Sequence, residues 1–155
     1  MSALITATAL GAGLAPIAPG TMGTLVGLPI AYATNLWPVA PRVILWLGLT
    51  ALGTWAAQVF DRMMKTGDNQ CIVIDEVVGL GITAWTAGRH ATTLAAAFVL
   101  FRFFDIVKPP PVRQVDSWSK KHPAWSGFGV MADDILAGFQ ALICVMLLQH
   151  FQLLP

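Results

Sequence analysis

Phe101-Arg-Phe-Phe-Asp-Ile-Val-Lys-Pro-Pro-Pro-Val-Arg-Gln-Val-Asp116 is the stretch on which the reading of the chain turns. An apolar run carries Arg102 and Asp105 in its last turn, then stops at Lys108 and three prolines. Three residues apart, Arg102 and Asp105 share one face of a helix. Proline cannot continue a helix and holds the residue before it out of helical geometry. The stretch therefore reads as a helix end with a carboxylate just inside it and two cations, Lys108 and Arg113, just outside. Alone, this is an ion pair closed by a proline stop. It gains meaning because two more acidic pairs, Asp75-Glu76 and Asp133-Asp134, stand at the edges of other apolar runs.

Length and composition narrow the class. The 155 residues suffice for one domain, residues 1–155. Apolar residues make up 56% and charged residues 11%, against about a quarter charged in a soluble domain. A mean hydropathy of +0.69 agrees. Such a chain faces lipid or itself more than water. Its net charge of +1 argues against a nucleic-acid partner, which requires a basic surface. Cys71 and Cys144 both lie in apolar runs and read as free buried thiols, not a disulfide framework. No basic segment precedes the first apolar stretch, which argues against a cleaved signal peptide. No internal repeat or linker is visible.

Outward from the opening stretch, the chain divides into apolar runs. Residues 2–14 are small and apolar, too short for a span, and end in Ala15-Pro-Ile-Ala-Pro-Gly-Thr21. The prolines and Gly20 break the helix there, and Thr21 reads as the N-cap of the next run, residues 21–35. Residues 43–60 are long enough to cross a thin bilayer. The run 71–87 opens on Asp75-Glu76, the run 91–107 carries the opening stretch, and residues 109–131 read as a long polar connection made flexible by its glycines. Asp133-Asp134 then open a last run over residues 135–151. If successive runs alternate in direction, all three acidic groups, Lys108, Arg113 and the Pro-Gly-Thr turn meet at one end. Arg62, Lys65, Arg102, Lys120 and Lys121 fall at that end too, and only Arg42 and Arg89 at the other. The positive-inside rule makes the cation-rich end cytoplasmic.

Asp75, Glu76, Asp105, Asp133 and Asp134 would crowd one small space there. Carboxylates at membrane depth are costly, and crowded like charges raise one another's pKa unless a cation sits among them. Mg²⁺ suits this setting, because it takes carboxylate oxygens together with water and substrate phosphate. Lys108 and Arg113 would hold phosphate oxygens, and the backbone N–H groups of Gly20 and Thr21 would add anion donors at a helix start. This is the equipment of metal-assisted phosphoryl chemistry. Plainer roles exist for several groups: acids favour helix N-termini, and Phe101, Phe103, Phe104 and the tryptophans read as packing or interfacial anchors. Asp61 and Asp116 read as solvated, Asp68 fits either role, and the scattered His90, His122 and His150 receive none. Cys71 has no arginine at phosphate-loop spacing, and no Ser-His-Asp arrangement is visible.

Four stretches resemble the phosphatidylglycerophosphatase A family in family order. They are Ala15-Pro-Ile-Ala-Pro-Gly-Thr-Met-Gly23, Ile72-Val-Ile-Asp-Glu-Val-Val-Gly79, Phe101 through Asp116, and Gly127-Phe-Gly-Val-Met-Ala-Asp-Asp-Ile-Leu-Ala-Gly138. The resemblance implies an all-α, compact, membrane-associated bundle of about five to six helices with a central helix, multi-pass in the inner membrane of a bacterium. It implies Mg²⁺-dependent removal of the terminal phosphate of phosphatidylglycerophosphate, an anionic phospholipid, to yield phosphatidylglycerol. By position, the family's acidic residues fall on Asp75, Glu76, Asp105, Asp133 and Asp134, and its basic ones on Lys108 and Arg113. The expected metal ligands are Asp75, Glu76, Asp133 and Asp134, with Asp105 a further ligand or the base for an attacking water. The expected phosphate-binding groups are Lys108, Arg113, Gly20 and Thr21. The competing reading from the residues is an ion-coupled transporter or channel subunit whose carboxylates line a cation path; such a path needs polar groups through its full depth.

Overall fold

The computed structural model describes residues 1–64 and 69–155. These form α1 (Ser2–Ala7), α2 (Pro19–Thr34), α3 (Val39–Met64), α4 (Ile74–Thr83), α5 (Ala91–Val107), α6 (Val112–Lys121) and α7 (Ser126–His150), with 3-10 turns at Ala12–Leu14 and Pro123–Trp125. The described residues contain no strand. Lys65 and Asp68, which the sequence reading discussed, lie outside the described residues.

Seven α-helices replace the expected five to six. The addition is α6, inside the stretch expected to be a polar connection. Val112 and Ser119 are buried on it, seven residues apart and hence on one helical face. The exposed Arg113, Gln114 and Ser117 between them masked the pattern. The last helix also starts earlier than expected, at Ser126. Gly127 and Gly129, which look like flexible points, are close-contact positions: a Cβ on Gly129 would strike Ser119 of α6, and one on Gly127 would meet the α3 backbone. Asp133 and Asp134 therefore do not open α7 but sit about two turns inside it. Likewise Thr21 is not an N-cap. Proline at the first helical position starts α2 at Pro19, with Ala18 as the N-cap residue and no side-chain cap.

The central element is α4, which packs against α2, α3, α5 and α7. All of it is buried except Glu76 and Ile82, which are half-buried. Glycines permit this crowding. A Cβ on Gly79 would run into the Phe101 ring of α5, and one on Gly138 of α7 would lie 2.6 Å from the Gly79 carbonyl oxygen. At this crossing the Thr83 hydroxyl reaches the Gly79 carbonyl at 2.9 Å and the Gly138 carbonyl at 3.2 Å. Phe101 is fully buried, as a packing residue should be, whereas Phe103 is exposed.

The two ends of the bundle differ as alternation requires. Away from the acids, Asn35 Nδ2 donates to the carbonyls of Ala84 and Gly88 at 2.9 and 2.8 Å. Arg42 is buried there, donates to the carbonyls of Asn35 and Trp85, and lies 3.6 Å from the Trp85 ring centroid. Arg89 bonds the Tyr32 carbonyl at the same end. Both α3 and α7 are long and apolar enough to cross a membrane. Ile44, Leu47 and Trp55 on α3, Ile143 and Leu147 on α7, and Val99 and Ile106 on α5 form an exposed apolar exterior, the mark of a membrane or interaction surface. Asp61, expected to be solvated, is buried on the inner side of α3.

The α4–α7 crossing yields a prediction. Gly138→Ala should cost about 1–3 kcal/mol, because the obstacle is backbone that cannot swing aside. Gly48→Ala on α3 meets nothing within 4 Å and should match or slightly exceed wild-type stability. Denaturant unfolding in detergent of the two variants checks this; equal midpoints would mean the crossing is not tight.

Candidate active site

Where α2 begins, α4 begins and α5 ends, an open cavity of about 540 Å³ faces out of the bundle. All five expected carboxylates, Asp75, Glu76, Asp105, Asp133 and Asp134, line it. Each is delivered by a different local cause. Asp75 and Glu76 form the first turn of α4, where the helix dipole favours negative charge. Asp105 stands one turn before the proline stop of α5. Asp133 and Asp134 project from the wall of α7, one helical turn from the glycine crossing that holds α7 on α4.

Asp75, Glu76 and Asp134 each offer an oxygen within 4.8 Å of the others. Glu76 Oε2 and Asp134 Oδ2 are buried with no hydrogen-bond partner. Burial pushes the Asp75 carboxyl well above its usual range, with the neighbouring charge of Glu76 adding to the effect. Burial likewise drives Glu76 from its ordinary 4.5 up to about 8; the charges of Asp134 and Asp105 push the same way, against its hydrogen bond with Asp75 and the Arg102 charge. Three acids around one space, two of them with orphaned oxygens, form a donor set that fits a hard divalent cation. Asp133 lines the cavity, but its Oδ2 accepts from the Lys108 ammonium, and it sits outside the tight trio.

Lys108 ends α5 in the left-handed region, at φ 47°. Such backbone costs on the order of 1–3 kcal/mol in a non-glycine residue. Pro109 forbids further helix, and the bend turns the lysine side chain into the cavity, onto Asp133 and, at 2.7 Å, Asp116. Burial alone would lower this ammonium's pKa, but the two carboxylates hold it above its ordinary value. Partial burial opposes ionisation of Asp116, yet its bonds from Lys108 and Lys120 keep it below the usual range. Asp116, expected to be solvated, is thus part of the cavity wall.

The remaining expectations divide. Gly20 lines the cavity, and a Cβ there would collide with Glu76 Oε1. Thr21 is half-buried behind it and does not line the space, and Arg113 is exposed on α6 outside it. Arg102 does line the cavity, 2.6 Å from Asp105 Oδ2 and 3.8 Å from Glu76 Oε1. Asn69, Gln70 and Ser119 complete the rim. Ser119 and Asp116 were legible only through the face that 112, 116 and 119 share on a helix.

An all-helical fold with two helices able to cross a membrane, and with an acidic pocket flanked by Lys108 and Arg102, is a setting suited to chemistry on a phosphate ester. The family model of phosphatidylglycerophosphatase A matches residues 5–149. A phosphatidylglycerophosphatase A of Haemophilus influenzae is 37% identical over 149 residues, covering 95% of this chain and 88% of its own. One of Escherichia coli is 36% identical over 135 residues, covering 85% and 74%. A Bacteroides thetaiotaomicron protein, provisionally named phosphatidylinositol-3-phosphatase, is 36% identical over 149 residues, covering 89% and 87%. No solved structure matches the chain. The chain belongs to the phosphatidylglycerophosphatase A family, and is a phosphoric monoester hydrolase.

The buried acids make stability depend on pH in a definite direction. Between 4.5 and about 8 the unfolded chain has ionised Glu76 while the folded chain keeps its proton, so stability falls as pH rises. Without divalent ions, melting temperature should drop from pH 5 to pH 8.5, and Glu76→Gln should flatten much of that slope. An unchanged slope in the variant would remove Glu76 as its source.

Proposed function

We propose that the protein hydrolyses the terminal phosphate of phosphatidylglycerophosphate to phosphatidylglycerol and inorganic phosphate, in a Mg²⁺-dependent reaction at the cavity described above. The observation that carries this reading is the trio Asp75, Glu76 and Asp134, with oxygens within 4.8 Å of one another and two of those carboxylates holding orphaned buried oxygens. Family membership supports the substrate class.

In this reading Asp75, Glu76 and Asp134 would hold Mg²⁺, which when bound would supply charge neutralisation and Lewis acidity. Asp133 fixes Lys108, whose ammonium faces the phosphomonoester as a point charge. The backbone N–H of Gly20, in the first turn of α2, lacks a helical acceptor and offers a second anion donor. Asp105 lies outside the tight trio and suits the role of base. Water oxygen attacks phosphorus and its proton passes to Asp105; as the bond from phosphorus to the glycerol oxygen breaks, Asp105 returns that proton to the leaving alkoxide. Arg113, exposed and outside the cavity, has no part in this arrangement.

The setting we propose is the bacterial inner membrane, with α3 and α7 as spans and the cavity on the cytoplasmic side. Arg62, Arg113, Lys120 and Lys121 cluster at that end, the sign expected of a cytoplasmic face. The lipid tails then stay beside the apolar exterior while the head group reaches the acids. A cation path is disfavoured, because beyond Asp75 and Asp134 the interior is closed by Val78, Leu80, Ala84, Ala137 and Ala141, all buried and apolar.

Asp75→Asn and Asp134→Asn should each lower phosphate release by on the order of 10³-fold while the purified proteins keep their helical content. EDTA should silence the wild type and Mg²⁺ restore it. A panel containing phosphatidylglycerophosphate, phosphatidylinositol-3-phosphate and soluble phosphomonoesters reads the head-group preference. Wild-type turnover by either variant, or cation flux in liposomes without phosphate release, would overturn the proposal.

A further inference from the structure

We propose that Arg102 is the guanidinium that grips the substrate's phosphoryl group, a role the family motifs had suggested for Arg113. The inference rests on the phosphatase reading above. Of the five arginines, Arg102 alone lines the cavity. Arg42 and Arg89 are engaged with backbone carbonyls at the opposite end of the bundle, and Arg62 and Arg113 are exposed.

Arg102 is also incompletely satisfied. Nη1 lies 2.6 Å from Asp105 Oδ2 and 3.8 Å from Glu76 Oε1, near enough for charge to attract. Neither approach has hydrogen-bonding geometry, and Nε and Nη1 are both buried without an acceptor. A buried guanidinium normally spends its planar fork on a carboxylate; this one neutralises two acids while its donors wait for an acceptor. A phosphoryl group presents oxygens that match the fork.

The neighbours complete an anion site. A Cβ on Gly20 would come within 3.0 Å of Nη1 and 3.2 Å of Nη2, so the guanidinium rests directly on the first turn of α2. The Lys108 ammonium faces the same cavity. A guanidinium fork, the Lys108 ammonium and a helix N-terminus thus converge on one space beside the carboxylate trio. The lack of a side chain at Gly20 is what lets Arg102 reach this position.

A simple charge-balancing role predicts that lysine replaces arginine at 102; a phosphoryl fork predicts that it does not. The test measures binding of inorganic phosphate to the full-length protein with Mg²⁺ by calorimetry, and KM and kcat on phosphatidylglycerophosphate in mixed micelles, for wild type, Arg102→Lys, Arg102→Gln and Arg113→Gln. Arg102→Lys should weaken phosphate binding and raise KM at least tenfold, with a melting temperature close to wild type. Arg113→Gln should match wild type in both. Arg102→Lys with wild-type phosphate affinity and KM, or a loss confined to Arg113→Gln, would overturn the inference. Phosphate binding that depends on Arg102 in a protein that releases no phosphate from any lipid would sustain the anion site and sink the phosphatase reading instead.

Discussion

Like charges that cannot move apart are the constraint on which the rest of this structure depends. Asp75, Glu76 and Asp134 are held with oxygens inside 4.8 Å by helices locked to one another through Gly79, Gly138 and the hydroxyl of Thr83. Separating the acids would mean opening the α4–α7 crossing and losing the packing of Phe101. Protonation is the remedy available to the protein alone, and the raised pKa of Glu76 expresses it. A divalent cation, as proposed above, would be the other remedy, and would convert an electrostatic cost into a chemical tool. The nearby cations lie mainly against other acids, Lys108 against Asp133 and Asp116, and Arg102 against Asp105 with Glu76 only at longer range.

The same packing explains why the chemistry gathers at one end. The half of the bundle away from the cavity is sealed by hydrogen bonds from Asn35, Arg42 and Arg89 to backbone carbonyls. Between the two ends lies an apolar interior of alanine, valine and leucine around Phe101. The carboxylates are thereby gathered at one rim, and α3, α5 and α7 keep an apolar exterior. Two backbone corners shape that rim, at Ala18 and Lys108. Each adopts a left-handed conformation without being glycine, a cost that is commonly borne at functional sites.

Much of this was readable from residues alone, for a physical reason. Alternating apolar runs fix which ends meet, so Asp75-Glu76, Asp105 and Asp133-Asp134 could be brought together without coordinates. What escaped was whatever depended on which face of a helix a residue occupies. Gly127 and Gly129 looked like flexibility and are contact points, so the start of α7 was displaced and Asp133-Asp134 looked like a cap. The inward face of α6 was hidden among polar residues, so Asp116 looked solvated. Arg113 and Arg102 differ little in sequence terms, yet one helix turns its arginine outward and the other turns it in. Asp61 shows the same limit, since an acid near a helix end can face either way.

The central claim is that one divalent ion belongs among three carboxylates on α4 and α7. Diffraction from crystals grown with Mn²⁺, measured for anomalous signal, tests it most directly. The account predicts a single strong peak about 2.1 Å from one oxygen each of Asp75, Glu76 and Asp134. A Mn²⁺ peak elsewhere, or none at saturating ion with those carboxylates turned apart, would contradict it.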